Sequence, residues 1–368
     1  MQEPMWMEEK SECAATSLPP GKVSPSVLTR LLELPRRTRQ EVILGPRAGE
    51  DAAVVKLGPR PVAVTTDPIT FPAPRPGWYA VHINANDLAV TGAKPDYFTL
   101  TILLPPGSAE EQAAAIMQDA LAAAEELEVT LLGGHTEITP AVNTPVVSVT
   151  MFGPLFGDSP VLTGGGKAGD AIIQVNPMGM EGTTILAETY RERLEKEISP
   201  ELVSRAASLT VTPGLSVVKP AMLALRLFDV HAMHDPTEGG LATGLREMAA
   251  AAGLGLDIHA PRLLVRPETL QICNWLKFDP FGLLASGCLL LAVPEEEAAE
   301  ALKAFQQSGY AAARIGFFTA RAGEYRVINK GGDMRELPVF ETDELTRPAA
   351  EEKNARHRTE DTGTQRGR

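Results

Sequence analysis

The sequence predicts a mixed α/β (α+β) protein of two consecutive domains, and three observations carry that prediction. Its 368 residues exceed what a single hydrophobic core ordinarily serves. Short apolar, β-branched runs alternate with helical patterns over residues 22–156 and again over 171–346. Between them, residues 157–170 (GDSPVLTGGGKAGD) are rich in glycine and turn formers, which marks a linker.

Residues 1–21 carry Glu3, Glu8, Glu9 and Glu12 and no apolar stretch, so they read as a disordered leader and not as a signal peptide. A short helix is expected within Gly21–Leu34, with Ser24 or Ser26 as its cap and Val27, Leu28, Leu31 and Leu32 as its apolar stripe. Val62–Val64 is a short β-prone run that ends at Thr65-Thr66-Asp67. Trp78–Thr91 reads as a helix closed by Gly92, with Asn84 and Asp87 three apart on one face. Tyr97–Leu104 is a strand stopped by Pro105-Pro106-Gly107, and Ala109–Leu127 an Ala-rich helix. Val129–Leu132 is expected as a short strand running into a Gly133-Gly134 turn, and Val146–Phe152 as another strand. In the second half, strands are expected at Ala171–Val175, Gly255–His259, Leu289–Val293, Ala312–Phe317 and Tyr325–Ile328. Helices are expected at Thr183–Arg193, Leu215–Phe228, Gly240–Ala252 and Glu295–Gln307. Residues 347–368 are polar, charged and aperiodic, a disordered tail.

Composition excludes several functions. A formal net charge of −13 and only 5% aromatic residues oppose a nucleic-acid binder, which needs a basic, base-stacking surface. Three cysteines without CxxC spacing (Cys13, Cys273, Cys288) suit a reducing cytoplasm and supply neither a disulfide framework nor a zinc knuckle. No apolar run is long enough to span a membrane, so a cytoplasmic protein is expected.

Acidic and polar clusters recur where secondary structure is expected to break: Gly49-Glu50-Asp51, Thr65-Thr66-Asp67, Asn84-Ala85-Asn86-Asp87, Gly133-Gly134-His135-Thr136-Glu137 and His234-Asp235-Pro236-Thr237-Glu238-Gly239-Gly240. Crowded carboxylates are costly unless a cation joins them, so the pattern suggests one Mg²⁺-nucleotide site assembled from distant segments. Asp51 and Asp67, taken singly, read more readily as solvated or capping turn residues. Asp87 sits among Ile83, Leu88, Ala89 and Val90, where a bare carboxylate needs a buried partner or a cation. Asp235 and Glu238 have capping-box spacing for the helix that follows, and a helix N-terminus also suits an anion. No G-x-x-x-x-G-K-[ST] loop is present, and Gly164–Gly169 precedes a strand where a dinucleotide fingerprint precedes a helix. His231 and His234 could share a helical face for zinc, but no third ligand is evident nearby.

Taken together, GEDAAVV (49–55), TTDPITF (65–71), NANDLAVTGAKP (84–95), LLGGHTE (131–137), KAGDAIIQV (167–175) and HDPTEGGLATGLREMA (234–249) resemble a superfamily in both order and spacing. It is the PurM-like family of aminoimidazole ribonucleotide synthetase, hydrogenase maturation factor HypE, thiamine-monophosphate kinase and selenophosphate synthetase, and HypE is nearest in motif. The resemblance implies a PurM-like N-terminal ATP-binding domain whose strands pair across a homodimer, and a PurM-like C-terminal domain. It implies metal ligation by Asp51, Asp67, Asp87 and Asp235; at His135, where an acid is usual, either Glu137 substitutes or one metal is lost. It implies ATP or phosphate contacts from Thr66, Asn84, Gly133, Gly134 and Thr136. The implied activity is Mg-ATP-dependent phosphorylation of an acyl or amide-type oxygen, in the setting of metalloenzyme maturation, with the acceptor unidentified. Besides His135, two further departures are visible: the chain ends Gly367-Arg368 without the Pro-Arg-x-Cys tail of HypE, and Leu284–Cys288 replaces an Asn-Glu-Gly-Lys-like stretch. A small-molecule kinase akin to thiamine-monophosphate kinase and a non-catalytic dimeric partner are the alternatives.

Overall fold

The computed structural model describes residues 23, 25–70 and 74–347. The leader, the tail beyond Arg347, Cys13 and Ser24 lie outside these residues, and Ser26 falls inside α1 and not at its cap. The N-terminal half runs α1 (Pro25–Leu32), β1 (Val42–Leu44), β2 (Ala53–Lys56), β3 (Pro61–Ile69), α2 (Pro76–Val90), β4 (Tyr97–Leu104), α3 (Glu110–Leu127), β5 (Thr130–Ile138) and β6 (Val146–Pro154). The C-terminal half runs β7 (Ala171–Val175), α4 (Met180–Thr189), α5 (Arg191–Glu197), α6 (Pro200–Ala207), α7 (Val218–Leu227), β8 (Ala232–His234), α8 (Gly240–Ala252) and β9 (Gly255–His259). It continues through α9 (Pro267–Leu276), β10 (Leu289–Val293), α10 (Ala298–Gln307), β11 (Ala312–Thr319), β12 (Tyr325–Ile328) and β13 (Met334–Glu336). Each half builds its own mixed sheet, ordered β1-β2-β3-β6-β4-β5 and β13-β12-β9-β11-β7-β10-β8.

Most neighbours are antiparallel, with β4–β5 and β9–β12 the parallel pairs. The strand pattern explains the layering. In β7 and β10 every residue is buried, because α8 covers one face and α7 with α10 the other. Ile172 accordingly faces Leu241 and Leu245, while Ile173 and Val175 join the cluster of Ala221, Ala301 and Phe305.

α2 positions the site. All residues from Gly77 to Val90 are buried, the pattern of a helix covered on every side. It packs on β3 and β6, on α3, and through Ala89 and Val90 on the C-terminal domain. Each fully buried Ile, Leu or Val contributes about 1.5–3 kcal/mol, so the helix is a fixed platform. Asn86 locks the halves together: its Oδ1 accepts from Val217 N–H at 2.8 Å and its Nδ2 donates to Leu215 O at 3.0 Å.

Several expectations are corrected. Thr65-Thr66-Asp67 does not end a strand but lies inside β3, and the Gly133-Gly134 turn is the middle of β5. The glycines serve close approach and not reversal: a Cβ on Gly134 would lie 1.8 Å from Leu100 O of β4. Gly134→Ala is therefore expected to cost about 3 kcal/mol by overpacking, read as a lower denaturation midpoint. The helix expected at Thr183–Arg193 is two helices broken at Tyr190, and α7 starts at Val218, after a π-type turn over Thr210–Gly214. Leu31 of the expected α1 stripe is 54% exposed.

Candidate functional site

The site forms where β3, the segment before β2, α2 and the β8–α8 connection meet. Asp51 precedes β2, Asp67 lies on β3, Asp87 on α2, and Asp235 directly follows β8. Strand pairing and helix packing bring four carboxylates from segments up to 184 positions apart into mutual electrostatic range. Asp87 is 6% exposed; burial, then Asp235, Asp67 and Asp51, push it well above the ordinary carboxylate range. Asp235 is 2% exposed; burial and then Asp51 push it well up, and neither of its oxygens has a hydrogen-bond partner. Such a group needs a proton or a cation.

Polar neighbours fix these acids. The Thr65 hydroxyl lies 2.9 Å from Asp87 Oδ2 and 3.0 Å from Asp51 O. One hydroxyl proton serves only one of them. Asn84 accepts from Asp67 N–H at 2.8 Å and donates to Asp67 O at 3.2 Å and Ala80 O at 2.8 Å. It is buried behind Asp67 and holds that residue's backbone.

His234 has partners that its sequence neighbourhood does not show. The helical face expected for His231 and His234 does not exist: the two lie at β8, where residues three apart face opposite ways. His231 instead bonds Asp170 at 2.8 Å and Lys167 at 2.7 Å beside the linker. His234 Nδ1 lies 3.0 Å from Asp51 Oδ2, and Nε2 lies 2.9 Å from Glu247 Oε2 of α8. Burial alone would lower it, but Asp51 and Glu247 outweigh burial and hold it well above its ordinary range. One ligand atom from each of Asp51, His234 and Asp235 falls within 4.8 Å of the others.

The capping-box expectation is also corrected. The α8 cap is Gly239, without a side-chain cap of its own, and its N–H donates to Asp343 Oδ2 at 2.8 Å. Asp235 is thereby left to the acid cluster. Gly240 has φ +65°, and a Cβ there would lie 2.5 Å from Phe281 O, which explains the glycine pair after the acids.

The remaining expected residues lie elsewhere. Thr66, next to Asp67 on β3, is exposed and bonds Thr150 at 3.1 Å. Gly133, Gly134, Thr136 and Glu137 occupy β5, the sheet edge. The register runs Asp67 to Val149 to Leu100 to Gly134, three strand spacings or about 14 Å. Within one chain the β5 group does not reach the acids. His135 Nε2 pairs with Glu137 Oε2 at 3.2 Å, both exposed.

The chain belongs to the AIR synthase related family: the model of its N-terminal domain matches residues 49–155 and that of its C-terminal domain residues 167–329. Within that family it is HypE-like, with the two-domain PurM-like fold. It is 30% identical over 311 residues to carbamoyl dehydratase HypE of Rhodobacter capsulatus, covering 81% of this chain and 87% of that one. It is 27% identical over 287 residues to a putative hydrogenase expression/formation protein of Methanocaldococcus jannaschii, covering 75% and 81%. A crystal structure of hydrogenase maturation protein HypE in complex with ATP superposes with a TM-score of 0.67 at 28% identity, covering 80% of this chain and 90% of the other. Among the described residues no single helix is long and apolar enough to cross a membrane.

Proposed function

We propose that this protein is an enzyme that binds Mg-ATP and transfers the γ-phosphoryl group to an acyl or amide-type oxygen in metalloenzyme maturation. The observation that carries this reading is the convergence of Asp51, Asp67, Asp87 and Asp235, with both Asp235 oxygens buried and unpartnered. An all-carboxylate set suits a hard divalent cation, so these residues fit magnesium. When bound, magnesium screens the triphosphate and the charge developing on the transferred group. The chain's own part is positional: Asn84 fixes Asp67, Thr65 ties Asp87 to Asp51, and the packed α2 keeps the acids from spreading apart. The HypE relatives, one a carbamoyl dehydratase and one solved with ATP, support the same chemistry.

In this reading Gly133, Gly134, Thr136 and Glu137 act from β5 on nucleotide held against the acid cluster of a second copy. The position of β5 at the sheet edge supports pairing in a homodimer. Ile138 is 52% exposed on that strand; Ile138→Lys is expected to halve the mass in light scattering and to weaken nucleotide binding while the monomer stays folded.

The test begins with calorimetric titration of ATP and Mg²⁺; absence of nucleotide binding overturns the proposal. An ¹⁸O-labelled carboxamide acceptor is then expected to pass its label to inorganic phosphate as ADP forms. A stable phosphorylated product would instead mark a small-molecule kinase, and binding without turnover a non-catalytic partner.

A further inference from the structure

We propose that His234 is an inner ligand that, with Asp51 and Asp235, tunes the acid cluster toward first-row transition-metal divalent cations, with paramagnetic Mn²⁺ as the probe. The residues form more than an acidic patch. The ligand atoms of Asp51, His234 and Asp235 lie within 4.8 Å of one another. Asp235 is 2% exposed, with both oxygens lacking any hydrogen-bond partner. Those orphaned oxygens, buried beside a nitrogen donor, point to a ligand in their own right.

The surroundings of the ring assign its atoms. Glu247 Oε2 lies 2.9 Å from Nε2, so Nε2–H donates to it. Nδ1 is then the atom that faces Asp51 Oδ2, 3.0 Å away. A carboxylate behind a histidine, fixing its tautomer and turning the other nitrogen toward two further carboxylates, is the usual support of a metal-bound imidazole. Magnesium gains little from an imidazole nitrogen, whereas transition divalent cations accept it readily. Asp67 and Asp87 add only oxygen donors to the same cluster, which suit magnesium.

This inference shares the acid cluster with the proposed ATP site but needs no nucleotide, so the two fail separately. The experiment is pulsed electron paramagnetic resonance of Mn²⁺ added to the nucleotide-free full-length protein, alongside competition with Mg²⁺. The expected result is a histidine-type nitrogen coupling to the bound Mn²⁺, with Mn²⁺ held about tenfold more tightly than Mg²⁺. In His234→Gln the coupling is expected to vanish and the preference to fall. Glu247→Gln keeps the ring; there the coupling is expected to persist while Mn²⁺ affinity drops about tenfold. Should His234→Gln not fold, the wild-type spectrum and Glu247→Gln decide. A wild-type spectrum without nitrogen coupling, or coupling that survives in folded His234→Gln, overturns the proposal and leaves His234 a charged donor to Asp51. If nucleotide titration fails while the coupling is present, the metal assignment stands and the ATP reading falls.

Discussion

Asp87→Asn is expected to weaken Mg-ATP binding roughly 100-fold, the upper end of what displaced metal-site groups cost, while the fold stays intact. The two halves of the result have one cause. Asp87 is buried on a helix fixed on all sides, and its strongest neighbours after burial are three more carboxylates. In the absence of a cation, replacing it by a neutral amide of the same shape removes repulsion and leaves a donor or acceptor for the Thr65 hydroxyl. The metal-free variant is therefore expected to melt at or above the wild-type temperature. With Mg-ATP present, the same substitution removes one of the charges that hold the cation, so the ligand-induced rise in melting temperature shrinks. Thermal melts with and without Mg-ATP, paired with calorimetry, read both effects. A variant that melts lower without ligand, or that binds Mg-ATP as tightly as wild type, would contradict the assignment.

How much of this was legible in the sequence differs by element. The long periodic segments were: Tyr97–Leu104, Gly240–Ala252 and Gly255–His259 have the bounds their pattern implied. The short ones were not, because three-residue strands such as Val42–Leu44, Ala232–His234 and Met334–Glu336 carry too little alternation to stand out. The start of α6 is written in the sequence: Ser199 caps it, accepting from Leu202 N–H at 3.1 Å, with Pro200 at the first helical position. The misjudged glycines show tertiary context overriding local preference. Gly133-Gly134 has turn composition, yet the neighbouring β4 backbone needs the space at Gly134, and the pair stays in the strand. At the site, chemistry was more legible than partnership. The acids were found because carboxylates in apolar settings demand company. His234 escaped because its partners, Asp51 and Glu247, lie 183 residues before it and 13 after it, and a wrong local period placed it beside His231.

The second large effect concerns an acid outside the metal cluster. Glu181, in the first turn of α4, is 1% exposed, and neither carboxylate oxygen has a hydrogen-bond partner. Burial, with Glu238 and Asp343 adding repulsion, raises it from an ordinary 4.5 to about 7, and the nearby Ser286 hydroxyl offsets only part. A carboxyl whose pKa is raised on folding stabilises the fold fully below its unfolded value, and that contribution disappears as pH rises through the folded value. The window is therefore pH 4.5 to about 7. The contribution lost across it is at most about 3 kcal/mol. Asp343, raised to about 6 mainly by burial, acts in the same direction over a lower span. His82, lowered by burial to about 4, acts in the opposite direction, since its neutral form is the one the fold prefers. A pH profile of the wild type alone mixes these groups, so the comparison is with Glu181→Gln, which keeps the shape and carries no charge at any pH. Near pH 5 the two proteins are expected to melt alike. Near pH 8 Glu181→Gln is expected to be the more stable by up to about 3 kcal/mol, a rise of several degrees in melting temperature. Curves that stay parallel from pH 5 to pH 8 would mean that Glu181 is ionised and paired throughout, and that its burial is compensated by a contact other than the Ser286 hydroxyl.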